Sequence, residues 1–161
     1  MNGLRKCYSR IYQRAFWLML PILPYHNPII IDDLRKISDI IKKEGKKKPL
    51  LVTDKNLIKY DFTKVLIDDL IADGVPAVVF DEVVPNPTTD LVYKGEKVYR
   101  DNNCDCLIAV GGGSPMDTAK TIGARISYPN KPINDMAGVL KVNKNTIFVK
   151  TALSIYKNEI K

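Results

Sequence analysis

The segment CDCLIAVGGGSPMDTAK, residues 104–120, is the part of this chain that decides its fold. Its apolar run, residues 107–110, is typical of a buried strand, and three consecutive glycines join that run to the start of a helix. Ser114 is placed to cap this helix, with Pro115 at its first position and Asp117 completing a Ser-x-x-Asp capping box. Because unpaired N–H groups collect at the positive end of a helix, this loop is a predicted phosphate site.

The loop follows neither of the two common phosphate-binding motifs. It lacks the G-x-G-x-x-G spacing, and no Gly-Lys-Ser/Thr follows the glycines. The alternative is a glycine-rich turn between strand and helix that binds nothing. Lys120 either reaches a phosphate or pairs with Asp117 on the same helix, so we assign catalysis to neither residue.

Strand and helix patterns alternate along the rest of the chain. Short apolar runs predict strands at residues 49–53, 77–80 and 107–110. Apolar residues at helical spacing predict helices at residues 34–41, 62–70, from Thr88 or Thr89 onward, and 115–127. This alternation predicts an α/β fold, a Rossmann-like parallel sheet with flanking helices and right-handed crossovers.

Polar or glycine-rich groups follow each predicted strand, where ligands bind in open parallel sheets. Asp54 follows the first strand, Pro85 and Asn86 follow the second, and residues 111–114 follow the third. An acid after the first strand can accept hydrogen bonds from the ribose hydroxyls of NAD and repel the 2′-phosphate of NADP. The alternatives are that Asp54 caps the turn after it and that Asn86 serves ordinary turn chemistry between prolines.

Composition favours one soluble globular domain. The 161 residues are 45% hydrophobic and 27% charged, and the net charge is +7. The lysines are dispersed except at residues 42–48, a helix end whose dipole they complement, and no nucleic-acid motif accompanies them.

Three cysteines cannot all pair, and Cys104 and Cys106 are predicted to enter a strand as small apolar residues. These features argue against a nucleic-acid partner and favour the reducing cytoplasm.

Residues 1–27 form a basic and then apolar leader that imitates a signal peptide. The apolar run, residues 15–23, is interrupted by Pro21, is too short to span a bilayer and is followed by no cleavage site. We therefore expect a packing or subunit-contact helix, with loose membrane association as the alternative. His26 is expected to be a surface residue.

Three motifs in order resemble the iron-containing alcohol dehydrogenase family: LLVTDKNLIK (residues 50–59), VVPNPTTD (83–90) and GGGSPMDTAK (111–120). The similarity covers roughly residues 4–146. It implies that residues 28–146 form an NAD-binding domain like the N-terminal domain of the dehydroquinate synthase and iron alcohol dehydrogenase fold. It also implies six cofactor-binding residues, which are Asp54 at the ribose, Pro85 and Asn86 at the adenosine, and Gly112, Gly113 and Ser114 at the pyrophosphate.

The family pattern then continues with a Thr-Gly-rich loop and a helical domain whose Asp and three His bind iron or zinc. Residues 147–161 do not resemble that continuation, and the chain contains a single histidine, His26. We therefore expect a chain truncated or frameshifted after about Thr146, with an atypical tail at 147–161 and no metal ligands. No residue is assigned to catalysis or to a metal.

The resemblance implies the NAD-binding half of an alcohol dehydrogenase, in which hydride passes between a small alcohol or aldehyde and NAD(H). We expect the isolated chain to be inactive and to be compatible with a homo-oligomer. Two alternatives are a non-catalytic nucleotide-binding or interaction fragment and a relative of the glycerol dehydrogenase type. The Ser-Pro-Met-Asp form of the loop at residues 114–117 favours the alcohol dehydrogenase branch.

Overall fold

The structure is a computed structural model that describes residues 34, 36–136 and 148–151. The leader, with His26, lies outside the described residues. In chain order the elements are α1 (Lys36–Lys43), β1 (Pro49–Val52), a 3-10 helix (Leu57–Lys59), α2 (Asp61–Ala72), β2 (Val78–Phe80), α3 (Thr89–Asp101), β3 (Cys106–Val110), α4 (Gly113–Ser127), α5 (Ile133–Met136) and β4 (Phe148–Thr151). The three predicted strands and the helices between them are all present.

The strands form one parallel sheet in the order β2-β1-β3-β4. Leu50 of β1 pairs with Val78 of β2 on one side and Leu107 of β3 on the other. The predicted Rossmann-like parallel sheet with flanking helices is therefore confirmed. The fourth strand, β4, lies within the tail at residues 147–161, for which the sequence analysis predicted no strand.

Helices cover both faces of the two central strands, which explains why β1 and β3 are buried along their whole length. Successive side chains of a strand point to opposite faces, so each strand contributes to two cores. One core joins the strands to α3 and α4 and includes Leu50, Val52, Leu107, Ala109, Val92, Tyr99, Ala119 and Ile122. The other joins them to α1 and α2 and includes Leu51, Ile108, Val110, Ile37, Ile41, Leu66 and Leu70.

The start of α4 differs from the prediction. The residue before the helix is Gly112, no side chain caps it, and the helix begins at Gly113. Ser114 and Pro115 therefore lie inside the first turn, and the predicted Ser114–Asp117 capping box is wrong. The turn into the helix is made by the glycines instead, with a left-handed φ of +139° at Gly111 and Gly112 as the residue before the helix. At α3 the prediction is confirmed, because the Thr88 hydroxyl accepts a hydrogen bond from the Leu91 N–H at 3.3 Å.

Cys104 and Cys106 are buried free thiols beside or within β3, as expected of small apolar residues. Burial raises the pKa of Cys104 to about 11 and also raises the pKa of Cys106. Because the thiolate is the reactive form, neither cysteine is suited to nucleophilic chemistry near neutral pH.

Candidate functional site

A cleft of about 590 Å³ opens at the carboxyl ends of β1, β2 and β3. It is lined by residues 54–56, 82–85 and 112–115, one segment after each strand. Parallel strands end at the same edge of a sheet, so segments far apart in sequence meet there. The cleft brings together five of the six predicted site residues, namely Asp54, Pro85, Gly112, Gly113 and Ser114.

Asn86, the sixth, is not among the residues that line the cleft. It is exposed and has a left-handed φ of 55°, a conformation that asparagine tolerates in turns. This geometry agrees with the alternative that Asn86 forms part of a turn between two prolines. A role for Asn86 in cofactor binding stays a prediction.

The three consecutive glycines of the loop serve different purposes. A Cβ on Gly111 would lie 2.7 Å from Pro115 Cγ and 2.8 Å from Leu57 Cδ1, and its φ is left-handed, so the fold itself requires this glycine. A Cβ on Gly112 or Gly113 would meet no described atom within 4 Å, and neither residue has a positive φ. Neither packing nor backbone conformation within the described residues therefore explains these two glycines, and both face the open cleft.

The amino end of α4 adds an electrostatic feature to this part of the cleft. The first N–H groups of a helix have no acceptor within the helix, and Gly112 has no side chain to provide one. These groups give the helix end a partial positive charge. The glycine side of the cleft is therefore suited to an anionic group that approaches the backbone closely.

Asp54 lies across the cleft and has a structural role as well. Its Oδ1 accepts hydrogen bonds from the N–H groups of Asn56 at 2.9 Å and Leu57 at 3.0 Å, which holds the start of the 3-10 helix. Asp54 therefore caps the turn after β1, as the alternative prediction stated, and it also lines the cleft. Among the described residues its Oδ2 has no hydrogen-bond partner, so this oxygen is available to a ligand hydroxyl.

Sequence reasoning missed several residues of the cleft. Glu82 and the exposed Val84 line the cleft and lie within four residues of the end of β2. The rule that ligands bind after the strands of a parallel sheet is the signal that could have identified both positions. Lys120 does not line the cleft. Its ammonium lies 3.5 Å from Asp117 Oδ1, so the structure agrees with the alternative that Lys120 pairs with Asp117 on the same helix.

Comparison with known proteins identifies the family. Residues 29–155 match the family described as iron-containing alcohol dehydrogenase. The chain belongs to this family. The match runs past residue 146 and includes β4, so the family resemblance extends further than the motifs alone indicated.

Individual relatives agree with the family match. Lactaldehyde reductase of Escherichia coli K12 is 37% identical over 112 residues, which cover 69% of this chain and 29% of that protein. The crystal structure of a 1,3-propanediol oxidoreductase matches with a TM-score of 0.70 and 30% identity, covering 76% of this chain and 33% of that one. The crystal structure of the sulfoacetaldehyde reductase of Bifidobacterium kashiwanohense, in complex with NAD+, matches with a TM-score of 0.66 and 27% identity. The match covers 78% of this chain and 34% of that one.

This chain spans about a third of the length of these relatives.

Within the described residues, no group of three or more His, Cys, Asp or Glu side chains is placed to hold a metal ion. The described residues therefore do not fit the metal that the family name implies. In the same part of the chain, no helix is long and apolar enough to cross a bilayer.

Proposed function

We propose that this chain is the NAD-binding half of a metal-dependent alcohol dehydrogenase, which transfers hydride between an alcohol and NAD. The observation that carries the proposal is the pair Gly112 and Gly113, whose missing side chains leave the start of α4 open to the cleft. A glycine that neither packing nor φ requires is typical of a place where a ligand approaches the backbone.

A dinucleotide matches the chemistry of the cleft from one end to the other. Its pyrophosphate suits the amino end of α4, where the N–H groups and the helix dipole favour negative charge. Its ribose hydroxyls suit Oδ2 of Asp54, which has no hydrogen-bond partner among the described residues, and Pro85 and the exposed Val84 offer apolar surface to the adenine ring. The volume of about 590 Å³ lies in the ordinary range for cofactor sites.

The contribution of this chain is to bind and orient the cofactor, while hydride transfer is the chemistry of the nicotinamide itself. A metal would polarise the alcohol oxygen when bound. The chain has one histidine, and its described residues hold no cluster of metal ligands. We therefore propose that turnover requires metal ligands from outside these residues. The substrate, self-association and a cytoplasmic location stay predictions.

Gly113→Val is expected to weaken NADH binding at least about tenfold without loss of stability, because the new side chain enters the cleft instead of the core. Isothermal titration calorimetry at fixed salt measures the affinity, and thermal unfolding checks the fold. Gly113→Ala is the matched control, and its smaller side chain should cost less affinity. Equal NADH affinity in all three proteins would remove the pyrophosphate site from this loop.

Asp54→Asn is expected to lower the ratio of the NADPH and NADH dissociation constants about tenfold, since it removes the charge that faces the 2′-phosphate. The amide oxygen can still accept the two N–H groups that Asp54 Oδ1 holds. Asp54→Gly should also lower the ratio, but with a loss of about 1 kcal/mol in the free energy of unfolding because those hydrogen bonds disappear. A wild-type chain that binds both cofactors equally would leave Asp54 as a turn residue only.

A further inference from the structure

A second carboxylate, that of Glu82, lies at the acidic end of the cleft. Glu82 forms an isolated antiparallel bridge with Asp54, and both residues line the cleft. Residues directly opposite each other in an antiparallel pair have Cβ atoms about 4.5–5.5 Å apart on the same face. The two acids therefore extend from neighbouring points of one cleft wall.

Lys94 of α3 modifies the charge of this pair. Its ammonium forms an ion pair with Glu82 Oε2, and the two side chains are 56% and 39% exposed. Like charges directly opposite each other are unfavourable, and the ammonium offsets that repulsion from outside the cleft lining. Lys55, an exposed cation in the lining, is the other charged group beside the acids.

We propose that Glu82 is a second determinant of dinucleotide selectivity, and that Lys94 sets how strongly its charge acts. This inference rests on the proposed function, namely that a dinucleotide binds in this cleft with its adenosine ribose beside Asp54. A 2′-phosphate at that ribose would face two carboxylates, whereas the 2′-hydroxyl of NAD can donate a hydrogen bond to either one. Removal of the Asp54 charge alone then leaves part of the discrimination in place.

The test compares the ratio of NADPH to NADH dissociation constants among variants of the full chain. Glu82→Gln keeps the shape of the side chain and should lower the ratio about three- to tenfold, the range expected for one charge removed near a partly solvated site. Lys94→Met should raise the ratio about two- to fivefold, because Glu82 loses its neutralising partner. Asp81→Asn is the matched control, since Asp81 is adjacent in sequence but is not among the residues that line the cleft. It should change the ratio less than about twofold, because solvent and salt screen a charge that is not part of the cleft lining.

The double variant Glu82→Gln/Lys94→Met separates an electrostatic role from a structural one. If Lys94 acts through Glu82, its substitution no longer changes the ratio once the carboxylate is gone. A Glu82→Gln ratio equal to that of the wild type, with both cofactors still bound, overturns this inference and leaves the proposed function intact. A wild-type chain that binds neither NADH nor NADPH overturns the proposed function as well.

Discussion

Glu96→Ala is expected to lower the free energy of unfolding by about 3–5 kcal/mol, the range for a buried ion pair that loses one partner. The Glu96 side chain is 9% exposed, and its Oε2 accepts a hydrogen bond from Arg125 Nε at 2.9 Å. The Arg125 side chain is itself only 11% exposed. Alanine would leave this guanidinium without its Glu96 counter-charge, although it keeps the backbone carbonyls of Tyr128 and Lys131 and its position 5.2 Å from the centre of the Tyr93 ring.

The same carboxylate joins two helices, which is why the loss should be felt beyond one side chain. Its Oε1 accepts hydrogen bonds from Arg100 Nε at 3.1 Å and Nη2 at 2.9 Å on α3, while Arg125 lies on α4. Because α4 begins at the glycine loop, we expect Glu96→Ala to weaken NADH binding as a secondary effect.

Urea unfolding measures the effect of Glu96→Ala, with Asp101→Ala as the control on the same helix. Asp101 pairs with Lys97, and these side chains are 56% and 73% exposed, so the loss there should be below about 0.5 kcal/mol. Similar losses in the two variants would contradict the assignment of Glu96 as the buried partner of Arg125.

Gly111→Ala is expected to cost about 2–4 kcal/mol, because strain in the backbone adds to a steric clash. The φ of +139° is one that residues with a side chain rarely adopt, and the new methyl group would lie 2.7 Å from Pro115 Cγ. Relief of the clash would move the start of α4, so cofactor affinity should fall together with stability.

Gly113→Ala is the matched control for this variant, since it lies two residues further on and its Cβ meets no described atom. Stability there should be unchanged or slightly higher, because alanine favours helix more than glycine does. Thermal unfolding compares the two proteins. Equal melting temperatures would contradict the inference that the fold requires a glycine at position 111 but not at position 113.

Local patterns in the sequence were enough to predict β1, β2 and β3 and the edge of the sheet that carries the site, but not β4. The apolar runs that became β1 and β3 are continuous, because both faces of a central parallel strand are buried. The position of Asp54 and of residues 112–114 after those strands then predicted that they would share one cleft. These inferences hold because a continuous apolar run and the alternation of strands with helices can both be read from the local sequence.

Other features depend on contacts between distant residues, and only the tertiary structure decided them. Glu96 and Arg125 are 29 positions apart, and no local pattern marks either one as buried. The isolated antiparallel bridge between Glu82 and Asp54 lies beyond the parallel strands and places two acids on one wall of the cleft. The three glycines look alike in sequence, yet a Cβ on the first would clash with Pro115 and Leu57, whereas a Cβ on either of the other two would meet no described atom within 4 Å. The sequence by itself therefore determined which segments form the site, whereas packing across the sheet decided which side chains are strained, buried or free to meet a ligand.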